Sequence, residues 1–76
     1  MTAPSPDTAA AWRGGQGIPG VNFAHDDLVT LLAGEHVGNV GSLIALDQIE
    51  PEVIYQVEID TNFIVPARQS EIQLAD

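Results

Sequence analysis

Cysteine and lysine are both absent from this chain of 76 residues, which also has four aromatic side chains only. Without cysteine the chain forms no disulfide, no thiolate metal site and no thiol nucleophile. Four aromatic residues are too few for a groove that binds proline-rich peptides or for an RNA-stacking surface. No apolar run approaches the roughly 18 residues of a membrane-spanning helix, and no basic leader precedes one. We therefore expect a cytoplasmic protein with no membrane partner.

Positive charge is also scarce. Eleven acidic residues oppose two arginines, Arg13 and Arg68, so the formal net charge is −9. From Ala24 onward, ten acidic residues are opposed by Arg68 alone. Such a surface repels phosphate backbones and anionic membranes and attracts basic partners, so we expect no nucleic-acid partner. Solubility is an equally good reason for the acidic residues, and the composition leaves both readings open.

The short length allows a single domain. A chain of this size buries only about 60% of its unfolded surface, which leaves no core volume for an internal cofactor. We therefore expect no cofactor and a marginal stability, and the oligomeric state is not readable from the composition.

Residues 1–22 are predicted to form a flexible N-terminal arm, because they hold three prolines and four glycines. Within the arm, residues 6–13 have the signals of a short helix. Ser5 suits the N-cap, Pro6 the first position, and Gly14 the end of the helix. Trp12 lies in this segment. It is predicted either to anchor a partner or to fold back and cap an open end of the remaining domain.

Residues 23–76 are predicted to form an all-β domain. Apolar runs and alternation indicate short strands over 28–32, 40–46, 53–59, 63–65 and 70–74. Gly41 indicates a bulge or a close backbone approach within the second strand, and Asp60 to Asn62 have turn chemistry. Pro66 is expected to stop strand pairing, with a turn of 3₁₀-helix over 67–69. Five short strands with brief connections favour a five-stranded antiparallel small barrel.

Two segments carry a family resemblance. Residues 29–43, with Gly34, Gly38 and Gly41, resemble a KOW motif, and residues 63–72 are similar to the last two strands of Src-homology-3-like barrels. The resemblance implies a small five-stranded barrel. It also implies RNA or ribosome association, but the glycine loop here contains Glu35 and His36 and no basic residue, so the charge disfavours that function. Small barrels of this type also resemble immunity proteins of toxin systems and accessory subunits of redox or multisubunit enzymes.

Catalytic and metal-binding patterns are weak. His25, Asp26 and Asp27 are neighbours on an extended chain, so their side chains diverge, and an acidic turn cap is the better interpretation. The acidic loop 47–52 lacks the ligand spacing of a calcium loop. No strand-to-helix elbow supports a serine nucleophile. We therefore expect a non-enzymatic protein that holds no metal.

The function predicted from these residues is an acidic protein–protein interaction module that binds a larger, basic protein. An immunity or inhibitor protein against a basic toxin and an accessory subunit of an enzyme complex are the alternatives. The acidic loops and the tryptophan supply the predicted partner-binding residues, which are Trp12, Glu35, His36, Asp47, Glu50 and Glu52.

Overall fold

Five strands form one antiparallel sheet in the computed structural model, which describes residues 2–75. In chain order the elements are α1 (Pro6–Arg13), β1 (Leu28–Leu31), β2 (Val40–Gln48), β3 (Ile54–Asp60), β4 (Phe63–Arg68), a 3₁₀ turn (Gln69–Glu71) and β5 (Ile72–Leu74). The strands lie in the order β4-β3-β2-β1-β5. The predicted all-β fold, with five antiparallel strands and a 3₁₀ turn before the last strand, is confirmed.

Every strand contributes at least one buried residue to the core. Val29 and Leu31 of β1 are buried, as are Tyr55 and Val57 of β3, which confirms the predicted alternation of β3. Ala67 of β4 belongs to the same cluster. Because both edge strands contribute to one core, the sheet curls into a small barrel-like fold. The remaining buried apolar residues are Trp12, Leu43, Leu46, Val53 and Ile72.

β2 is the longest strand, and its pairing with β3 is irregular. Its first residues pair with β1, and from Ser42 it pairs with β3. The register with β3 shifts between Leu43 and Ala45, which places a bulge at Ile44. The extra residue resets the alternation, so that Leu43 and Leu46, three positions apart, are both buried.

Gly41 of β2 lies close against β3. A Cβ atom added there would stand 2.7 Å from the carbonyl oxygen of Glu58 and 2.7 Å from a methyl group of Val57. The close approach predicted at this glycine is therefore correct, and the bulge lies farther along the strand.

Substitution Gly41→Ala is expected to lower the free energy of unfolding by about 1–3 kcal/mol, the usual cost of overpacking. Urea unfolding followed by tryptophan fluorescence measures the change. Gly17→Ala is the matched control, because nothing lies within 4 Å of a Cβ atom at Gly17. The control is expected to change stability by no more than about 0.5 kcal/mol. Equal stabilities of the two variants would contradict the close approach.

Several predicted boundaries in the second half of the chain are wrong. β2 ends at Gln48 instead of residue 46, and β4 does not stop at Pro66, which pairs with Gln56 of β3. The 3₁₀ turn begins at Gln69 instead of residue 67, so β5 begins at Ile72 instead of residue 70. β4 is an edge of the sheet, so a residue without an N–H group is tolerated there. The predicted Asp60 turn is confirmed, since Asn62 has φ 61° and Asp60 Oδ1 accepts the N–H of Thr61 at 2.7 Å.

The helix predicted over residues 6–13 is present with the predicted caps. The Ser5 side chain accepts the N–H of Thr8 at 3.2 Å, and the N–H of Gly14 donates to the last turn. At this length, tertiary packing must hold the helix in place. No helix among residues 2–75 is long and apolar enough to cross a membrane.

Trp12 fastens the helix to the sheet. Its side chain is 1% exposed, its ring lies 5.9 Å from that of Tyr55, and its Nε1–H donates to the carbonyl of Phe23 at 2.8 Å. Of the two predictions for Trp12, the structure shows the one in which it folds back onto the domain; the partner anchor is wrong, because the indole finds both an apolar neighbour and a hydrogen-bond acceptor inside the domain. The segment is packed on the sheet, which differs from the flexible arm that its proline and glycine content predicts.

Candidate functional site

An open cleft of about 530 Å³ lies between three segments that are distant in sequence. One wall is residues 19–22, here called the strap. The opposite wall is the β2–β3 loop, residues 49–53, and Gln69 and Ser70 of the 3₁₀ turn complete the lining. We call this concavity the Glu50 cleft. It exists only because the chain before β1 returns to the barrel.

Two carboxylates line the cleft. Glu50 is exposed, and among residues 2–75 no cationic group lies within ion-pair distance of it. Glu52 is oriented by two neighbours. Its Oε2 accepts the hydroxyl of Ser70 at 2.6 Å, and its Oε1 lies 3.7 Å from Nε of Arg68. The cleft therefore presents a carboxylate held in one direction and a second one that is open to solvent.

The loop that carries these carboxylates is braced from both sides. The buried amide of Gln48 donates from Nε2 to the carbonyl of Glu52 at 2.9 Å. Thr2 pairs with the loop like a single residue of an added strand. Its N–H donates to the carbonyl of Glu50, and its carbonyl accepts the N–H of Ile49, both at 2.8 Å. These bonds pair backbone groups of the loop, and they fix the backbone positions from which the Glu50 and Glu52 side chains project.

The floor beside the strap is held by one amide side chain. Gln69 Oε1 accepts the N–H of Asn22 at 2.8 Å and also the hydroxyl of Tyr55, and Gln69 Nε2 donates to the carbonyl of Gly20 at 3.0 Å. The backbone N–H of Gln69 donates to Val53 at 2.8 Å. Sequence reasoning missed this residue, since nothing about a glutamine after an arginine indicates contacts 47 residues away.

Tyr55 lies under the cleft with no exposed surface. Burial, which penalises the phenolate, is the main cause that raises the pKa of Tyr55 from 10.0 to about 12, and the nearby carboxylate of Asp27 contributes to the rise. Backbone hydrogen bonds from Phe23 and Asn22 oppose the rise. The hydroxyl is therefore protonated at neutral pH and acts as a donor to Gln69.

The structure brings together two of the six predicted partner-binding residues, Glu50 and Glu52. Asp47 is exposed on β2 but does not line the cleft, and Trp12 is in the core. Glu35 and His36 lie in the β1–β2 loop at the other end of β2, where they border a separate depression of about 100 Å³. There the His36 ring packs edge-on against Phe63 at 5.1 Å.

Among residues 2–75, no group of three or more histidine, aspartate or glutamate side chains is placed to hold a metal ion. Asp27 Oδ2 accepts the N–H of Ala24 at 2.9 Å, so the predicted turn cap is confirmed. His25 Nδ1 contacts its neighbour Asp26 at 3.4 Å. No protein-family model matches the chain, and no curated protein or solved structure matches it either.

Proposed function

We propose that this protein is a non-enzymatic interaction module that binds a basic segment of a protein partner in the Glu50 cleft. The observation that carries the proposal is the pair of carboxylates, Glu50 and Glu52, on the lining of an open cleft in a chain of net charge −9. An arginine side chain of the partner suits this lining best, because its planar fork matches carboxylate geometry.

Arg68 lies outside the cleft lining and pairs only loosely with Glu52, which leaves this carboxylate open to a second cation. Arg68 Nε stands 3.7 Å from Glu52, whereas a strong charge-assisted hydrogen bond is about 2.7–2.9 Å long. The Arg68 side chain is also 62% exposed, so solvent screens the pair and little stability depends on it. A guanidinium of the partner can therefore replace Arg68 at Oε1 of Glu52, while Ser70 keeps its hydrogen bond to Oε2.

The rest of the lining suits the aliphatic part of a long basic side chain. Pro19 of the strap faces the cleft together with Ile49 and Pro51 of the loop. Arginine and lysine bury their methylene stems on such apolar surface and keep the charged end in a polar environment. The cleft thus combines an apolar rim with an acidic end, which is the arrangement that a basic segment requires.

The acidic surface outside the cleft supports the encounter. With ten acidic residues and Arg68 after Ala24, the barrel carries a strong negative field that attracts a basic partner and raises the association rate. This contribution falls with ionic strength, whereas apolar contacts in the cleft do not. Binding is therefore expected to be fast and salt-sensitive.

Neutralising both cleft carboxylates tests the proposal. The double variant Glu50→Gln with Glu52→Gln is expected to weaken binding to arginine-containing peptides by about 2- to 30-fold, because each partly exposed pair is worth about 0.2–1 kcal/mol. The measurement uses immobilised peptides of about twelve residues at about 50 mM salt, with citrulline versions as neutral probes.

The control is Asp47→Asn with Asp60→Asn, which removes the same charge outside the cleft. It is expected to change affinity by less than about twofold, through the long-range field alone. Equal losses in the two double variants would show that only net charge matters and would remove the cleft from the proposal. A protein retained from native lysate by the wild type counts as a partner only when the cleft variant releases it.

A further inference from the structure

The strap that forms one wall of the Glu50 cleft has few ties to the barrel. Within residues 2–75, the Gln69 side chain makes two hydrogen bonds to the strap, to Gly20 and to Asn22, and the Asn22 backbone also bonds the buried Tyr55 hydroxyl beside Gln69. The remaining backbone bond in this stretch is local, from Val21 to Ile18 at 3.0 Å. The apolar side chains of Ile18 and Val21 pack against the core. This apolar packing holds the strap near the sheet, but it does not fix the distance between the strap and the β2–β3 loop.

We propose that Gln69 is a positioning residue of the cleft, whose side-chain amide holds the strap at the separation from the β2–β3 loop that admits a basic side chain. The role in ligand binding rests on the proposed function. The role in holding the wall does not depend on it.

Gln69 has the hydrogen-bonding groups that this role needs. Its Oε1 accepts two donors, the Asn22 N–H and the Tyr55 hydroxyl, and its Nε2 donates to Gly20. Tyr55 is wholly buried, so one end of the chain of hydrogen bonds is fixed in the core. The backbone N–H of Gln69, bonded to Val53, ties the same residue to the loop side of the cleft. One residue therefore spans both walls and the floor.

The strap needs such an external tie because its own backbone is permissive. Gly20 has φ +82°, and a Cβ atom there would meet nothing within 4 Å. Glycines at positions 15 and 17 precede it, so rotation in this stretch is opposed by little. When the Gln69 amide is lost, we expect the strap to sample other distances from the loop while the apolar core stays intact.

The experiment compares Gln69→Leu with Gln73→Leu, the same chemical change on an exposed residue of β5. Amide hydrogen exchange by NMR is read at Asn22, whose N–H bonds to Gln69. We expect exchange at Asn22 to accelerate at least about tenfold in Gln69→Leu, with core amides of β3 unchanged, and to stay the same in Gln73→Leu. Affinity for the arginine peptide is expected to fall at least about threefold in Gln69→Leu alone.

Unchanged exchange at Asn22 in Gln69→Leu would overturn the proposal. So would accelerated exchange with unaltered peptide affinity, because the wall would then be irrelevant to binding. When the wild type binds no arginine peptide, the proposed function fails, and the exchange at Asn22 alone decides whether Gln69 holds the wall. Gln69→Glu keeps the acceptor oxygens and loses the donor to Gly20. If Gln69→Leu does not fold, Gln69→Glu takes its place. Exchange at Asn22 as slow as in the wild type then supports the acceptor role of the Gln69 side chain, and faster exchange rejects it.

Discussion

Substitution Trp12→Ala is expected to lower the free energy of unfolding by about 3–5 kcal/mol, the cost of emptying a large aromatic site in a core. Small domains have only about 5 kcal/mol or somewhat more to lose, so much of the chain should unfold at room temperature. The effect is large because the buried indole packs on Tyr55 and its N–H donates to the carbonyl of Phe23.

Far-ultraviolet circular dichroism in urea measures this change, since the substitution removes the one tryptophan of the chain. Arg13→Ala is the control on the same helix, because Arg13 is exposed. It is expected to cost no more than about 0.5 kcal/mol. Trp12→Phe keeps an aromatic ring and loses the N–H donor, so its stability should lie between the two. A Trp12→Ala variant as stable as Arg13→Ala would show that the helix is not part of the core.

Stability is expected to fall between about pH 10 and about pH 12 by nearly 3 kcal/mol, at about 1.4 kcal/mol per pH unit. The pKa of Tyr55 is 10.0 in the unfolded chain and about 12 in the folded protein, mainly because burial disfavours the phenolate. Above pH 10 the unfolded chain releases this proton and the folded protein does not. The stabilisation is therefore complete below the unfolded pKa and is lost as the pH approaches the folded pKa.

The change in stability between pH 10 and pH 12 can be assigned to Tyr55, because few other groups of this chain titrate there. There is no lysine, no cysteine and no second tyrosine, and arginine titrates only above about pH 12. Urea unfolding followed by Trp12 fluorescence gives the stability, and tyrosinate absorbance gives the pKa directly.

Tyr55→Phe is the control for the pH dependence. It should cost about 1 kcal/mol at neutral pH through the lost hydrogen bond to Gln69, and it should flatten the dependence above pH 10. A variant that loses stability as steeply as the wild type over this range would mean that another process causes the alkaline transition.

Local features of the domain could be predicted from the sequence because neighbouring residues cause them. The alternation of β3, the Asp60 turn and the Ser5 cap each depend on residues within a few positions of one another. The close approach at Gly41 was foreseeable as well, since an isolated glycine inside a strand has few other uses.

The boundaries of β4 were predicted wrongly for a reason that lies outside the segment. Pro66 stops pairing in a central strand, and only the sheet order shows that β4 is an edge. The burial of Trp12 also depends on a residue outside its own segment. A tryptophan in a proline- and glycine-rich segment fits an exposed anchor and a core residue equally well until its acceptor, the Phe23 carbonyl, is known.

Composition and short-range pattern alone determined that this chain is an acidic all-β domain with helix-capping signals before it, and that Glu50 and Glu52 share one loop. Tertiary structure alone decided that this loop faces the strap across a cleft, and that Gln69 joins them. The physical reason is separation along the chain. Alternation and capping act between near neighbours. The two walls meet only after the core around Trp12 and Tyr55 has formed, because Gln69 then hydrogen-bonds Asn22, 47 positions away, and Gly20, 49 positions away.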